Sequence, residues 1–293
     1  MQLIVRRRSG WLAAVVVAVA TLSAGCLVPP PGPAPLRYRD AVFGQVTTTS
    51  NVAYANVTTR QGDPVTLLAD IYRPTGDTAT ARPAVVWVHG GSFAFGSKTS
   101  PEIVDEATTF ARKGYVSISI NYRLSPTGCT MIDAECVLAI GDAQADAQTA
   151  VRWLRLNAAT YGVDANRIAI AGTSAGAITA LNVGYSGDSP SPGPYPGTSS
   201  RVRAAVSLSG AAILAAPGPG DAPALLFHGT SDTVVPYSWA QDTADAATEV
   251  GLVAYLISWE GAGPVPYGEH RNEILELTTN FLYWMLDLAH AAP

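Results

Sequence analysis

Short apolar runs recur along the chain, separated by stretches with helical spacing or by clusters of Gly, Pro and Ser. The runs at 83–88, 115–122, 167–171, 202–208, 223–227 and 253–259 are mostly apolar and carry few charges. That is the pattern of strands covered on both sides, as in a parallel sheet. Between them the spacing changes to that of helices, at 101–112, 142–159, 177–183, 238–250 and 272–288. In 142–159, for example, Ala143, Ala147, Ala150, Val151, Leu154 and Ala158 fall along one face. Two β-prone segments, 44–59 and 65–72, precede this alternation and read as an antiparallel lead-in. The whole predicts an α/β fold: a mostly parallel eight-stranded sheet with helices on both faces. The connection from 209 to 224 is only about fifteen residues of mostly Ala, Pro and Gly, which leaves room for little or no lid.

One junction in this pattern carries chemistry. Strand 167–171 runs into Gly172-Thr173-Ser174-Ala175-Gly176, a G-x-S-x-G sequence, and a helix follows at once. Turning from strand to helix in so few residues strains the backbone at Ser174, and glycine on either side avoids collision with neighbouring main chain. The serine oxygen would then stand above the sheet at a helix N-terminus, where the amide of Ala175 is free to donate.

A serine hydroxyl needs a base, and the chain offers four histidines. His89 precedes two glycines and reads as shaping a loop, His228 ends an apolar strand and reads as core, and His290 lies in the tail. His270 remains, expected in the loop between the last strand and the last helix, from which its ring would swing over Ser174. Asp232, after the penultimate strand, is the candidate acid to orient that ring, with Asp242, Glu260 and Glu269 as fallbacks and a turn or cap aspartate as the plain alternative. The chain order Ser174, Asp232, His270 is that of the α/β-hydrolase architecture and not of the chymotrypsin or subtilisin type.

With the loop Val88-His89-Gly90-Gly91-Ser92-Phe93, the segment Asn121-Tyr122-Arg123-Leu124, the elbow and the stretch from His228 to Pro236, the chain resembles the α/β-hydrolase superfamily. It is most similar to bacterial carboxylesterases of the BD-FAE and dienelactone-hydrolase-like kind and those related to hormone-sensitive lipase. The resemblance implies an oxyanion hole from the amides of Gly91, Ser92 and Ala175, with Gly90 permitting the turn. Ser92 stands where hormone-sensitive-lipase relatives usually have a third glycine, and Thr173 where they commonly have Asp. The expected function is a serine carboxylesterase, without cofactor or metal, acting through an acyl-enzyme on short-chain or polysaccharide-linked esters. A peptidase of the prolyl-oligopeptidase type and a non-catalytic surface-binding protein of the same fold are the alternatives. Phe93, Tyr122, Tyr237 and Tyr267 are candidate pocket walls.

The ends and the composition add context. Residues 1–25 have the build of a secretory signal, with Arg6, Arg7 and Arg8, an apolar stretch and Ser23-Ala24-Gly25 before Cys26. That ending resembles a bacterial lipobox, so Cys26 is the expected lipidation site. Residues 26–42, rich in proline, read as a stiff tether, and 43–293 as the catalytic domain. The expected location is an exported lipoprotein of the cell surface or periplasm, or otherwise a secreted protein, touching membrane only through that anchor. Of three cysteines, Cys129 and Cys136 then remain as an expected disulfide. A formal net charge of -5 with no basic patch excludes nucleic acid as a natural partner.

Overall fold

A computed structural model describes residues 25–129, 132–188 and 193–291. The leader reading for 1–25 falls almost wholly outside them. Among the described residues no helix is long and apolar enough to cross a membrane.

The strands are β1 (Val46–Thr58), β2 (Pro64–Pro74), β3 (Arg82–Val88), β4 (Val116–Ile120), β5 (Val163–Thr173), β6 (Ala205–Leu208), β7 (Ala224–Gly229) and β8 (Ala254–Trp259). They form one sheet in the order β1-β2-β4-β3-β5-β6-β7-β8. β1 and β2 pair antiparallel with their neighbours, and every pairing from β4 to β8 is parallel. The helices are α1 (Pro101–Arg112), α2 (Ala134–Leu156), the short α3 (Ala158–Tyr161), α4 (Ala175–Gly184), α5 (Tyr237–Glu249) and α6 (Tyr267–Met285).

Two apolar cores sandwich the sheet. Val86 and Val88 of β3 face α2, α4 and α5, alongside Ile140, Val151, Ile178, Leu181 and Ala247. Val85 and Trp87 of the same strand face α1 and α6, with Phe110, Phe227, Ile274 and Phe281. Successive side chains point to opposite faces, and both faces are covered, which is why the strand reads as an unbroken apolar run.

Two helices begin earlier than their apolar spacing suggests. α2 starts at Ala134, eight residues before the expected 142, because Asp133 caps it by accepting from the Cys136 amide at 2.9 Å. Cys136 therefore lies in the first helical turn, and its disulfide to Cys129 staples the preceding loop to α2. α6 starts at Tyr267, immediately after Pro266, and takes in residues expected to be loop.

The proline-rich segment is not a free tether. Leu27 and Leu36 pack against the α1/α6 core and Tyr38 is buried in it. Asn280 and the Trp284 indole donate to the carbonyls of Leu27 and Val28, both at 3.0 Å, and Arg39 donates to the carbonyls of Pro30 and Gly32. Proline limits the conformational freedom of the strap, which follows a course of bends and turns. Side chains of α6 supply the donors that its carbonyls need, so it lies along the domain.

On α1, Glu106 is buried, with its Oε2 lacking any hydrogen-bond partner. Burial, with Glu102 and Asp105 nearby, raises its pKa well above the ordinary 4.5. A carboxyl whose folded pKa is raised favours folding most below its unfolded pKa and progressively less as the pH climbs past it. Glu106→Gln is therefore expected to raise the melting temperature at pH 7–8 by about 2 °C or more, with the gain shrinking toward pH 4 in thermal scans.

Candidate active site

β5 ends at Thr173 and α4 begins at Ala175, leaving Ser174 alone to make the turn, at φ 52° and ψ −117°. A non-glycine residue held there costs on the order of 1–3 kcal/mol, so its surroundings must impose the conformation. They do so by close approach. A Cβ on Gly176 would lie 2.0 Å from the Val88 carbonyl oxygen, and one on Gly172 would lie 2.3 Å from the Gly176 oxygen. The Ser174 amide also donates to Leu208 O of β6 at 2.8 Å. These contacts account for both glycines of the motif, and Ser174 itself stays partly exposed.

The loop after β3 abuts this elbow. A Cβ on Gly90 would meet the Thr173 oxygen at 3.0 Å and the Ser174 Cβ at 3.3 Å. Gly91 has φ 114°, where a side chain would strike the Phe95 carbonyl oxygen at 2.1 Å, and Ser92 and Phe93 also have positive φ. The amides of Gly91 and Ser92 donate to no other described residue, and Ala175, as the first helical residue, has no acceptor within α4. Three unpaired donors thus come from two segments that touch at Ser174.

The Asn121 to Leu124 segment holds that loop in place. Tyr122 stacks on His89 at 4.3 Å and donates from its hydroxyl to the His89 carbonyl at 3.1 Å. The Ser125 amide donates to Phe93 O, and Asn121 Oδ1 accepts from the Lys98 amide, both at 2.7 Å. The Lys98 ammonium pairs with buried Asp70 at 2.8 Å, and Arg123 grips Asp146 through Nε and Nη2. His89 donates from Nδ1 to Gly90 O at 2.7 Å, and burial lowers its pKa to about 4, so it is neutral and serves the loop.

A cavity of about 140 Å³ opens beside the hydroxyl, lined by Ser92, Phe93, Ser174, Ala175, Ile178, Trp239 and the Val234 to Pro236 turn, among others. Of the expected wall aromatics only Phe93 contributes. Tyr122 lies beneath the loop, the Tyr237 hydroxyl meets Ser258 Oγ at 2.6 Å, and Tyr267 donates to Asp105. Trp239, the largest lining side chain, was hidden in the sequence as an ordinary apolar position in the first turn of α5.

Asp232 and His270 are not brought together. Asp232 Oδ1 accepts from the amides of Val234 and Val235 at 2.8 and 3.0 Å, and Oδ2 lies 3.3 Å from His228 Nε2. His228 donates its Nε2 proton to Val235 O at 2.9 Å instead, so Asp232 Oδ2 is buried without a hydrogen bond. Burial opposes ionisation of Asp232, but the His228 ring and the two amides hold its pKa below the ordinary carboxyl value.

The expectation that the His270 ring swings over Ser174 is corrected. His270 sits in the first turn of α6, its amide bonded to Pro266 O. Its ring stacks on Trp259 at 4.0 Å, and Nδ1 lies 3.6 Å from Glu273. Trp259 closes β8, three sheet positions from β5, or roughly 14 Å at ~4.8 Å per strand. Among the described residues no hydrogen bond joins any imidazole to Ser174. The segment that does cross toward the elbow is the loop between β8 and α6. Its Ala262 oxygen accepts from Ser231, and its Val265 amide donates to Ser209 Oγ at 3.0 Å, one residue beyond the Leu208 carbonyl that holds Ser174. Between those anchors lies exposed Pro264.

A sheet of this order with a strained serine elbow between β5 and α4 and a facing amide loop defines an α/β-hydrolase. The BD-FAE family model matches residues 69–218, and the chain belongs to that family. A second model, TAP-like protein, matches residues 207–283.

Phenmedipham hydrolase of Pseudarthrobacter oxydans is 39% identical over 117 residues, covering 39% of this chain and 22% of that protein. Lipase 1 of Geotrichum candidum is 34% identical over 131 residues, covering 42% and 23% respectively. The chain thus matches less than a quarter of the length of these curated relatives. Thermogutta terrifontis esterase 2, in its native form, superposes with a TM-score of 0.68 at 26% identity, covering 88% of this chain and 98% of that one. Its butyrate-bound form gives 0.68 at 25% identity, covering 83% and 95%.

Asp232 Oδ2 lacks a donor, and the crossing loop that carries Pro264 is bonded to Ser231, the neighbour of Asp232. Pro264→His is expected to raise p-nitrophenyl acetate turnover at pH 8 by about 100-fold, the lower end of general-base catalysis. Adding Asp232→Asn to that variant should remove most of the gain.

Proposed function

We propose that the protein is a carboxylic ester hydrolase in which Ser174 is the nucleophile and the amides of Gly91, Ser92 and Ala175 hold the oxyanion. The observation that carries this reading is the convergence of Ser174, Ser92 and Ala175 on one apolar cavity, with the serine fixed in its strained turn. The esterases and lipases among its relatives support the same chemistry. Ser174 Oγ bonds to the ester carbonyl carbon and loses its proton. The carbonyl oxygen takes up negative charge between the three amides, and the alkoxide departs with a proton. Water then cleaves the acyl-serine by the same steps in reverse.

The proton acceptor is the distinctive part. With His270 stacked on Trp259, its action as base requires the ring to leave that stack. In the folded arrangement the acceptor is solvent hydroxide, and catalysis rests on positioning and the oxyanion amides, which alone supply about 10³–10⁴-fold over water. Asp232 then braces the turn that lines the cavity rather than an imidazole. The same geometry favours a second reading, a protein that binds esters or is acylated once without turning over. The leader-like first residues and Cys26 support an exported, lipid-anchored protein whose esters lie outside the cytoplasm.

A pH profile of p-nitrophenyl acetate hydrolysis from 5 to 10 tests the mechanism. The rate is expected to rise about tenfold per pH unit without a plateau, to be unaffected by His270→Ala and to vanish in Ser174→Ala. A plateau above the ordinary imidazole pKa of about 6.5 that disappears in His270→Ala would return the base role to that residue. Fluorophosphonate labelling of Ser174 without any turnover would support the second reading, and absence of labelling would remove Ser174 as nucleophile.

A further inference from the structure

Beyond the cavity at Ser174 lies a second apolar depression of about 440 Å³, lined by Ala212, Ile213, Ala215, Pro217 and Ala246, with Asp242 as its one charged side chain. Trp239 and Ile132 line both spaces and form the partition between them. Each part of this partition is anchored. Trp239 lies in the first turn of α5, its amide bonded to Pro236 O at 2.9 Å and its carbonyl accepting from Thr243 at 2.7 Å. Ile132 lies within the loop closed by the Cys129–Cys136 disulfide.

The far wall is equally fixed. Buried Asn182 of α4 accepts through Oδ1 from three successive amides, those of Ile213, Leu214 and Ala215, at 3.0, 3.0 and 3.3 Å, and Thr243 Oγ1 accepts from Ala212 at 3.1 Å. The connection between β6 and β7 is thereby tied to α4 and α5.

We propose that Trp239 is the residue that limits acyl chain length: the inner cavity takes the acyl group of the ester, and the indole closes it off from the outer groove. This rests on the ester-hydrolase reading of Ser174. An apolar cavity of about 150 Å³ accommodates a six-carbon ring, so 140 Å³ admits an acyl chain of about six carbons. Up to that length each added methylene should improve binding by about fourfold, the usual value for burying a CH₂ group. Longer chains clash with the indole face and cannot seat their carbonyl at Ser174. The lining is apolar, so neutral alkanoyl groups are the substrates, and charged acyl groups are rejected because the cavity offers no counter-charge.

The test compares p-nitrophenyl butyrate, hexanoate and decanoate on the wild type, Trp239→Ala and Trp239→Leu. In the wild type kcat/KM should rise to hexanoate and fall at least tenfold at decanoate. In both variants the ratio of decanoate to butyrate should rise at least tenfold, since the inner and outer spaces then join. An unchanged ratio in both variants overturns the proposal. Should no ester be turned over, calorimetric binding of the methyl esters of the same acids to Ser174→Ala, with and without the Trp239 substitutions, reads the same chain-length limit independently of catalysis. A failed hydrolysis with an intact length limit would then count against the enzyme reading alone, and equal binding of all lengths against the partition.

Discussion

The constraint on which the site depends is the contact between α4 and the end of β3. The helix comes so close to the Val88 carbonyl that only a hydrogen fits at Gly176, and the turn that makes this approach possible passes through Ser174 in a strained conformation. Strain of this kind persists only where surrounding structure over-determines it. Here the Leu208 carbonyl holds the serine amide from β6, Gly90 presses against the serine Cβ from the other side, and the buried apolar face of α4 fixes the helix. One packing contact therefore sets the exposure of the hydroxyl, the direction of the Ala175 amide and the distance to the facing loop.

The facing loop is a second layer of the same design. Gly91, Ser92 and Phe93 all have positive φ, and such a segment would relax if left alone. Tyr122, Asn121 and Ser125 hold it at three points, and the buried Lys98–Asp70 pair secures its far end to β2. Preorganised donors cost no reorganisation when charge develops on a carbonyl oxygen, and that is what makes them effective.

The position of His270 is where the structure departs from what chain order suggests. The loop after β7, which carries Asp232, and the crossing loop after β8 are bonded to each other through Ser231 and Ala262. The histidine that chain order points to has instead been drawn into α6, where stacking on Trp259 and the neighbouring Glu273 hold it beside the end of β8. Asp232, with only the His228 ring beside it, holds through its carboxylate the turn that lines the cavity.

How much of this was legible in the residues varies with the range of the interaction that decides it. The eight strands, their mostly parallel arrangement and the elbow at Ser174 follow from local pattern, because unbroken apolar runs and a glycine-flanked serine have few other uses. The Cys129–Cys136 pairing and the short connection between β6 and β7 were readable for the same reason. The start of α6 was not, since Pro266 and Gly268 look like loop residues until tertiary packing makes the proline the first step of a helix. Nor was the strap of residues 27–38, whose prolines suggest a free tether until Asn280 and Trp284 give its carbonyls partners. Sequence alone determined the strand-to-helix elbow at Ser174 and the chain order of the candidates Asp232 and His270. Which of them meet was decided by helix boundaries and ring stacking between segments distant along the chain, and no local pattern encodes those.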